Sequence, residues 1–227
     1  MRIAVLGTSM VGQTLSGKLS ELGHDVMVGT RDVAQTLAKT EPHPYGFPAF
    51  STWQQQHPQV QLGTFAQAAA HGELLFNATN GAVSVGIFRS IGEAHLKGKI
   101  LVDVANPLDF AAGNPPALAV ANTDSLGEQL QRAFPDLKVV KALNTVTAAL
   151  MVAPRQLANG EHTIFVSGND AEAKDRVTDI LKDWFGWQDV IDLGDITTAR
   201  GTEMYLPLWL RLWGKLGTGM FNVRVTR

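Results

Sequence analysis

The residues best placed to do chemistry stand among the first twelve positions. Gly7-Thr8-Ser9-Met10-Val11-Gly12 follows the apolar run Ile3–Leu6 directly and opens a helical pattern. This is the G-x-G-x-x-G arrangement with Ser in place of the second glycine, and its chemistry is pyrophosphate binding. The first Gly permits a tight turn, the last lets helix and strand approach, and free N–H groups at the helix N-terminus meet the phosphates. Ser9 keeps that backbone shape if its φ is negative, and its hydroxyl then either donates to a phosphate or obstructs one. The next run, Val26–Val28, leads into Gly29-Thr30-Arg31. An NAD site ends this strand with Asp or Glu, which accepts from the ribose hydroxyls. Thr30 and Arg31 suit a 2′-phosphate instead, by hydrogen bonding and by charge. The expected cofactor is therefore NADP(H), with Asp32 capping the helix that follows.

Three further strand exits carry small polar residues: Asn77-Ala78-Thr79, Ala105-Asn106-Pro107 and Leu143-Asn144-Thr145. In an open parallel sheet, ligands bind outside the carboxyl ends of the strands, so these segments are expected to border ribose and nicotinamide. Asp103 and Lys141 each precede an exit Asn by three residues, which puts them level if their strands are neighbours. An ion pair that fixes register is the simpler expectation for them than a catalytic role. The six histidines are scattered, and no Ser-His-Asp arrangement, histidine pair or carboxylate cluster stands at working spacing, so no metal site is expected. Hydride transfer between two bound rings needs proximity and alignment more than a protein acid or base.

These segments need a frame to hold them. Ile3–Leu6, Val26–Val28, Val60–Leu62, Leu74–Phe76, Ile100–Val104, Val139–Leu143, Ile164–Val166 and Val190–Leu193 read as short buried strands. Helical patterns lie between them. Val11, Leu15, Leu19 and Leu22 share a face that Gly23 can end. Ser125 and Glu128 form a plausible capping box, with Pro135 as the stop. Val177, Ile180, Leu181, Trp184 and Phe185 recur at helical spacing up to Gly186. The alternation predicts an α/β fold: a doubly wound, mostly parallel Rossmann sheet with a small C-terminal α/β extension. A cofactor domain is expected over residues 1–144 and a smaller part closing the cleft over 145–227. Residues 41–52, with Pro42, Pro44, Gly46 and Pro48, read as a surface excursion. Residues 106–122 read as a loop bordering the crevice.

Composition narrows the partners. The net charge of −2 leaves no basic track for nucleic acid, and the absence of cysteine excludes disulfides and thiolate metal sites. The first apolar run is too short for a signal-peptide core, so a cytoplasmic location is expected. Met204–Leu216 is apolar but too short to span a membrane, and Pro207, Arg211 and Lys215 interrupt it. It reads as a buried or subunit-interface helix, and so as a possible homodimer contact.

On IAVLGTSMVG (3–12), VGTRD (28–32), ILVDVANP (100–107), VVKALNT (139–145), FVSGND (165–170) and LPLWLRLWGKLG (206–217), the chain resembles the coenzyme F420-dependent NADP oxidoreductases. It is similar also to the related cytoplasmic domain of the STEAP-type metalloreductases. The resemblance implies NADP(H) along the strand exits, with its nicotinamide facing a deazaflavin (F420) or flavin (FMN or FAD) ring as the small-molecule redox acceptor. It implies that Gly7 to Gly12 hold the pyrophosphate and that Thr30 and Arg31 hold the 2′-phosphate. Asn144, Thr145 and Val146 would lie against the rings, and Pro207 would close the pocket. The sequence departs from the archaeal reductases at Ser9, at the 41–52 excursion and at Asn144, where those proteins have histidine. Two other readings stand beside this one: a small imine or ketone reductase, and a non-catalytic NADP(H) sensor.

Overall fold

The computed structural model describes residues 1–227 except Pro44, Tyr45 and Ala112. In chain order the first half runs β1 (Arg2–Leu6), α1 (Met10–Glu21), β2 (Asp25–Thr30), α2 (Val33–Ala38), α3 (Phe50–Gln56), β3 (Gln61–Thr64), α4 (Phe65–His71), β4 (Leu74–Asn77), α5 (Gly81–Ile91) and β5 (Ile100–Asp103). A short hairpin follows, β6 (Leu108–Asp109) with β7 (Ala117–Leu118), then α6 (Leu126–Ala133), β8 (Lys138–Ala142) and α7 (Ala148–Val152). The chain ends with β9 (Thr163–Gly168), α8 (Ala171–Asp179), β10 (Asp189–Asp192), α9 (Ala199–Met204) and α10 (Leu206–Leu216).

Among the described residues the main sheet has eight strands, in the order β10-β9-β8-β5-β4-β1-β2-β3. From β3 to β8 every pairing is parallel, whereas β9 pairs antiparallel to β8 and β10 follows β9 in parallel. The order 3-2-1-4-5-6 over the six parallel strands is that of a Rossmann fold, with its switch point between β1 and β4. The residues after 144 thus add two strands to the same sheet.

Why β1 reads as an unbroken apolar run is plain from its two faces. Ile3 and Val5 face the core beneath α1, α7 and α8, while Ala4 and Leu6 face the core beneath α4, α5 and α6. A strand covered on both sides has no polar face to alternate with. In α1, Leu15 and Leu19 are buried as the spacing predicts, and Gly23 takes a left-handed φ of 82°. Leu22 instead is exposed, because the helix ends one residue before it, at Glu21.

Two other expectations change. The 41–52 excursion forms no strand, but its last residues begin α3, where Phe50, Ser51 and Trp53 are buried; Pro44, one of its markers, lies outside the described residues. Ser125 does cap α6 by accepting from Glu128 N at 3.1 Å. The reciprocal half of the box is missing, because the Glu128 carboxylate accepts from the Ser125 hydroxyl and pairs with Arg200. A complete capping box stands at Thr64 and Gln67, on α4.

α10 is not a buried helix. Leu206 is its buried residue, whereas Leu208, Trp213 and Leu216 are exposed by more than a third. No helix among the described residues is long and apolar enough to cross a membrane.

Candidate active site

The glycine loop is built by close approach. Gly7, at φ 123°, leaves room for the Ala78 carbonyl: a Cβ at Gly7 would sit 2.4 Å from Ala78 O. Gly12 lies against the same loop, where a Cβ would stand 2.0 Å from Gly7 O. Both positions therefore need glycine for contact, and Gly7 needs it for conformation as well. Ser9 has φ −75° and ψ −179°, an extended backbone that any residue adopts, and its side chain makes no capping bond to α1. The first-turn amides of α1, with Met10 and Val11, are left open toward the loop, as an anion site requires.

Beside this loop lies a cavity of about 380 Å³. It joins Thr8 and Ser9 to Thr30 and Arg31 from the β2 exit, and it extends to Gln35, Lys39, His43, Phe47 and Pro48. Asp32 lines it too, but its Oδ1 accepts from Gln35 N at 2.9 Å and so caps α2 as the sequence predicts. Thr36 donates to Asp32 O at 2.7 Å, so the 2.7 Å contact between the two hydroxyls makes Thr30 the donor to Thr36.

Because β2, β1, β4, β5 and β8 are parallel and in register, their exits share one edge of the sheet. Four strand spacings carry that edge roughly 19 Å from Arg31 to Asn144, a length suited to an extended dinucleotide. The polar exits divide along it. Asn77 is fully buried: its amide donates to Asp103 at 2.8 Å and its carbonyl oxygen accepts from Thr79 N and Oγ1. That network engages both ends of the side-chain amide. Asn106 and Asn144 bind each other instead, through Asn106 Nδ2 to Asn144 O at 2.8 Å and Asn144 Nδ2 to Asn106 Oδ1 at 3.0 Å. They tie the β5 and β8 exits into one rim, flanked by buried Ala105, Pro107 and Val146.

Leu143, just before that rim, has φ 63°. A bulky residue in the left-handed region is strained, and such strain collects where a site must be held in one shape. Two residues on, the Thr145 hydroxyl is buried without a hydrogen-bond partner among the described residues, as are Tyr205 OH and Trp209 Nε1. Burial pushes the Tyr205 phenol above its ordinary pKa, so it stays a donor. Trp209 reaches this end of the crevice, since Gly219 fits between its ring and Thr147. The two tryptophans of α10 lie 6.0 Å apart, but the better stack is Trp209 on Phe221, at 5.3 Å. Pro207 is exposed in the first turn of α10.

Asp103 and Lys141 are level across β5 and β8 and approach to 2.6 Å. Sequence reasoning missed the third member, Glu203 of α9, which lies 2.7 Å from Lys141. Lys141 also donates to Ala105 O at 2.8 Å, and all three side chains are buried. Burial opposes the ammonium charge, but the two carboxylates outweigh it and raise the Lys141 pKa. Through Ala105 O the cluster is tied to the β5 exit beneath the rim.

Among known proteins the chain matches the family model described as NADP oxidoreductase, coenzyme F420-dependent, over residues 2–107. It is 30% identical over 161 residues to the F420-dependent NADP reductase of Methanocaldococcus jannaschii, covering 70% of each protein. The chain belongs to the F420-dependent NADP oxidoreductase family. A member of this family from Arthrobacter sp. FB24, a candidate F420-dependent NADP-reductase, has a crystal structure that superposes with a TM-score of 0.95 at 58% identity over 100% of both chains. Rat metalloreductase STEAP3 is 28% identical over 92% of this chain, which spans 38% of that longer protein. As a family member, the chain is an NADP-dependent oxidoreductase with a Rossmann fold.

Proposed function

We propose that the protein passes hydride between NADP(H), laid along the strand exits from Arg31 to Asn144, and a deazaflavin or flavin-type ring held at the Asn144–Val146 end. The observation that carries the cofactor half is the β2 exit. Its acid, Asp32, is engaged at the head of α2, which leaves Thr30 and Arg31 to face the cavity. Arg31 supplies charge for a 2′-phosphate, the Gly7–Gly12 amides receive the pyrophosphate, and the buried, unpartnered Thr145 hydroxyl lies behind the ring end. When bound, NADPH supplies the hydride. The chain's own part is to hold both rings face to face and to exclude water, with residues 145–227 closing the cleft.

In a titration, Arg31→Ala is expected to weaken NADPH binding about tenfold or more while NADH binding changes less than about twofold. An unchanged preference would overturn the assignment. The acceptor is tested by following NADPH absorbance with F420, FMN, FAD, riboflavin and ferric chelates in parallel. Turnover is expected with a planar deazaflavin or flavin, whereas cofactor binding with no turnover across the panel points to a sensor. The exposed apolar face of α10 is proposed to pair with a second copy, and sedimentation as a monomer at micromolar concentration would count against it.

A further inference from the structure

We infer that Lys39, Glu41, His43 and the stretch Phe47–Ala49 are part of the cofactor site: they form the outer wall of the pocket for the adenosine 2′-phosphate end, and Gln13 fixes that wall at Pro48. This rests on the NADP(H) reading above. By sequence, residues 41–52 read as a surface excursion, with prolines and a glycine to explain an irregular path. The cavity beside the glycine loop, however, is also lined by Lys39, Glu41, His43, Phe47, Pro48 and Ala49.

One buried side chain connects the two walls. The Gln13 amide donates to Thr8 O, in the glycine loop, and to Pro48 O, both at 3.1 Å. Gln13 is 4% exposed, so loss of either bond would leave a polar group without water to replace it. The wall has its own internal order: His43 N donates to Phe47 O at 2.9 Å, Gly46 N donates to His43 O at 2.8 Å, and the His43 and Phe47 rings stack at 4.3 Å. Those rings offer a flat apolar face in the same cavity as Arg31, the arrangement a purine base takes between an aromatic pair and a guanidinium. Lys39 faces Arg31's cavity, and neither cation forms an ion pair among the described residues. Two cations match the charge of a 2′-phosphate, while Glu41 at the rim repels it.

The roles separate by ligand. Lys39 reads the 2′-phosphate, Phe47 reads the base, and Gln13 positions the wall for both without touching either. The test titrates the full chain with NADP+, NAD+, 2′-AMP and 5′-AMP. For Lys39→Gln, NADP+ and 2′-AMP are expected to weaken about tenfold, with NAD+ and 5′-AMP changing less than about twofold. For Phe47→Ala, NADP+ and NAD+ are expected to weaken together, by about three- to tenfold. For Gln13→Leu, KM for NADPH is expected to rise with kcat nearly unchanged. Because Gln13 is buried, its variant is checked by thermal melting, whereas Lys39 and Phe47 lie at the surface of the cavity and keep the test readable if that variant misfolds. Wild-type affinity for NADP+ in both the Lys39 and Phe47 variants would overturn the inference. Failure of the unmodified protein to prefer NADP+ over NAD+ would instead remove the cofactor reading on which it rests.

Discussion

Lys141→Met is expected to lower folding stability by about 3–5 kcal/mol. For a chain of this length that lowers Tm by about 6–20 °C, read by circular dichroism melting. The substitution fills the volume of the lysine stem but leaves Asp103 and Glu203 facing each other without a cation, in a site where neither touches water. The native cluster already holds one negative charge in excess, and backbone and amide donors offset it. Glu203 accepts from Leu126 N at 2.8 Å and Gly127 N at 3.1 Å, at the positive end of α6, while Asp103 accepts from Asn77 Nδ2 and Ala105 N. Removing the ammonium leaves that arrangement one charge too negative. A triple variant, Asp103→Asn with Lys141→Met and Glu203→Gln, is expected to recover at least half of the loss, since it deletes the charges together. The raised Lys141 pKa sets the pH window. A raised pKa means stability that is intact below the unfolded value of about 10.5 and is lost only as pH rises through the folded value. Its contribution to stability is therefore constant between pH 6 and 9, and a lysine-dependent change of melting temperature in that range would contradict the cluster as described.

Gly12→Ala is expected to reduce NADPH affinity about 100-fold, measured by quenching of protein or nucleotide fluorescence. In an ordinary helix this change is favourable by up to about 1 kcal/mol, so helix propensity cannot account for a loss. The cause is contact: the new methyl carbon would lie 2.0 Å from Gly7 O, and both are set on backbone that has no rotamer to yield. The loop must lift off the helix, and its amides move away from the pyrophosphate position. Ser9→Gly is the natural comparison. Ser9 carries no left-handed φ and no capping bond, so glycine there is expected to change affinity by less than about threefold unless the hydroxyl itself donates to phosphate. Binding within tenfold of wild type for Gly12→Ala would show that the loop does not carry the pyrophosphate.

The contrast between Gly12 and Glu203 explains how much the sequence discloses. The glycine loop, the β2 exit and the parallel strands are local: their demands on turn geometry, charge and burial fall within a few consecutive residues. Asp103 and Lys141 were legible one step further out, because equal spacing from an exit Asn implies equal height in neighbouring strands. Glu203 obeys no such rule. It lies on a short helix far along the chain, and a lone Glu there reads as a surface charge until the fold delivers it to Lys141. Glu128 misled for the same reason, since its better partner, Arg200, is distant in sequence. The wall that Lys39, His43 and Phe47 help to form is hidden because prolines and glycine announce a turn whether or not that turn faces a ligand. What gives it a role is Gln13, through a contact between residues 35 positions apart.

The reversal of direction between β8 and β9 divides the surface of the molecule into two territories. Up to β8, each strand leaves the sheet at the crevice; after it, β9 and β10 start there and leave on the opposite side. The turn at 193–195, after β10, is therefore remote from the rim made by Asn106 and Asn144, whereas the turn at 158–162 that leads into β9 lies beside it. Inserted sequence, a tag or a reporter loop is expected to be carried without effect in the first turn and to disturb cofactor or acceptor in the second. A change of strand direction near the end of the sheet thus separates the part of this chain that can vary freely from the part that its chemistry constrains.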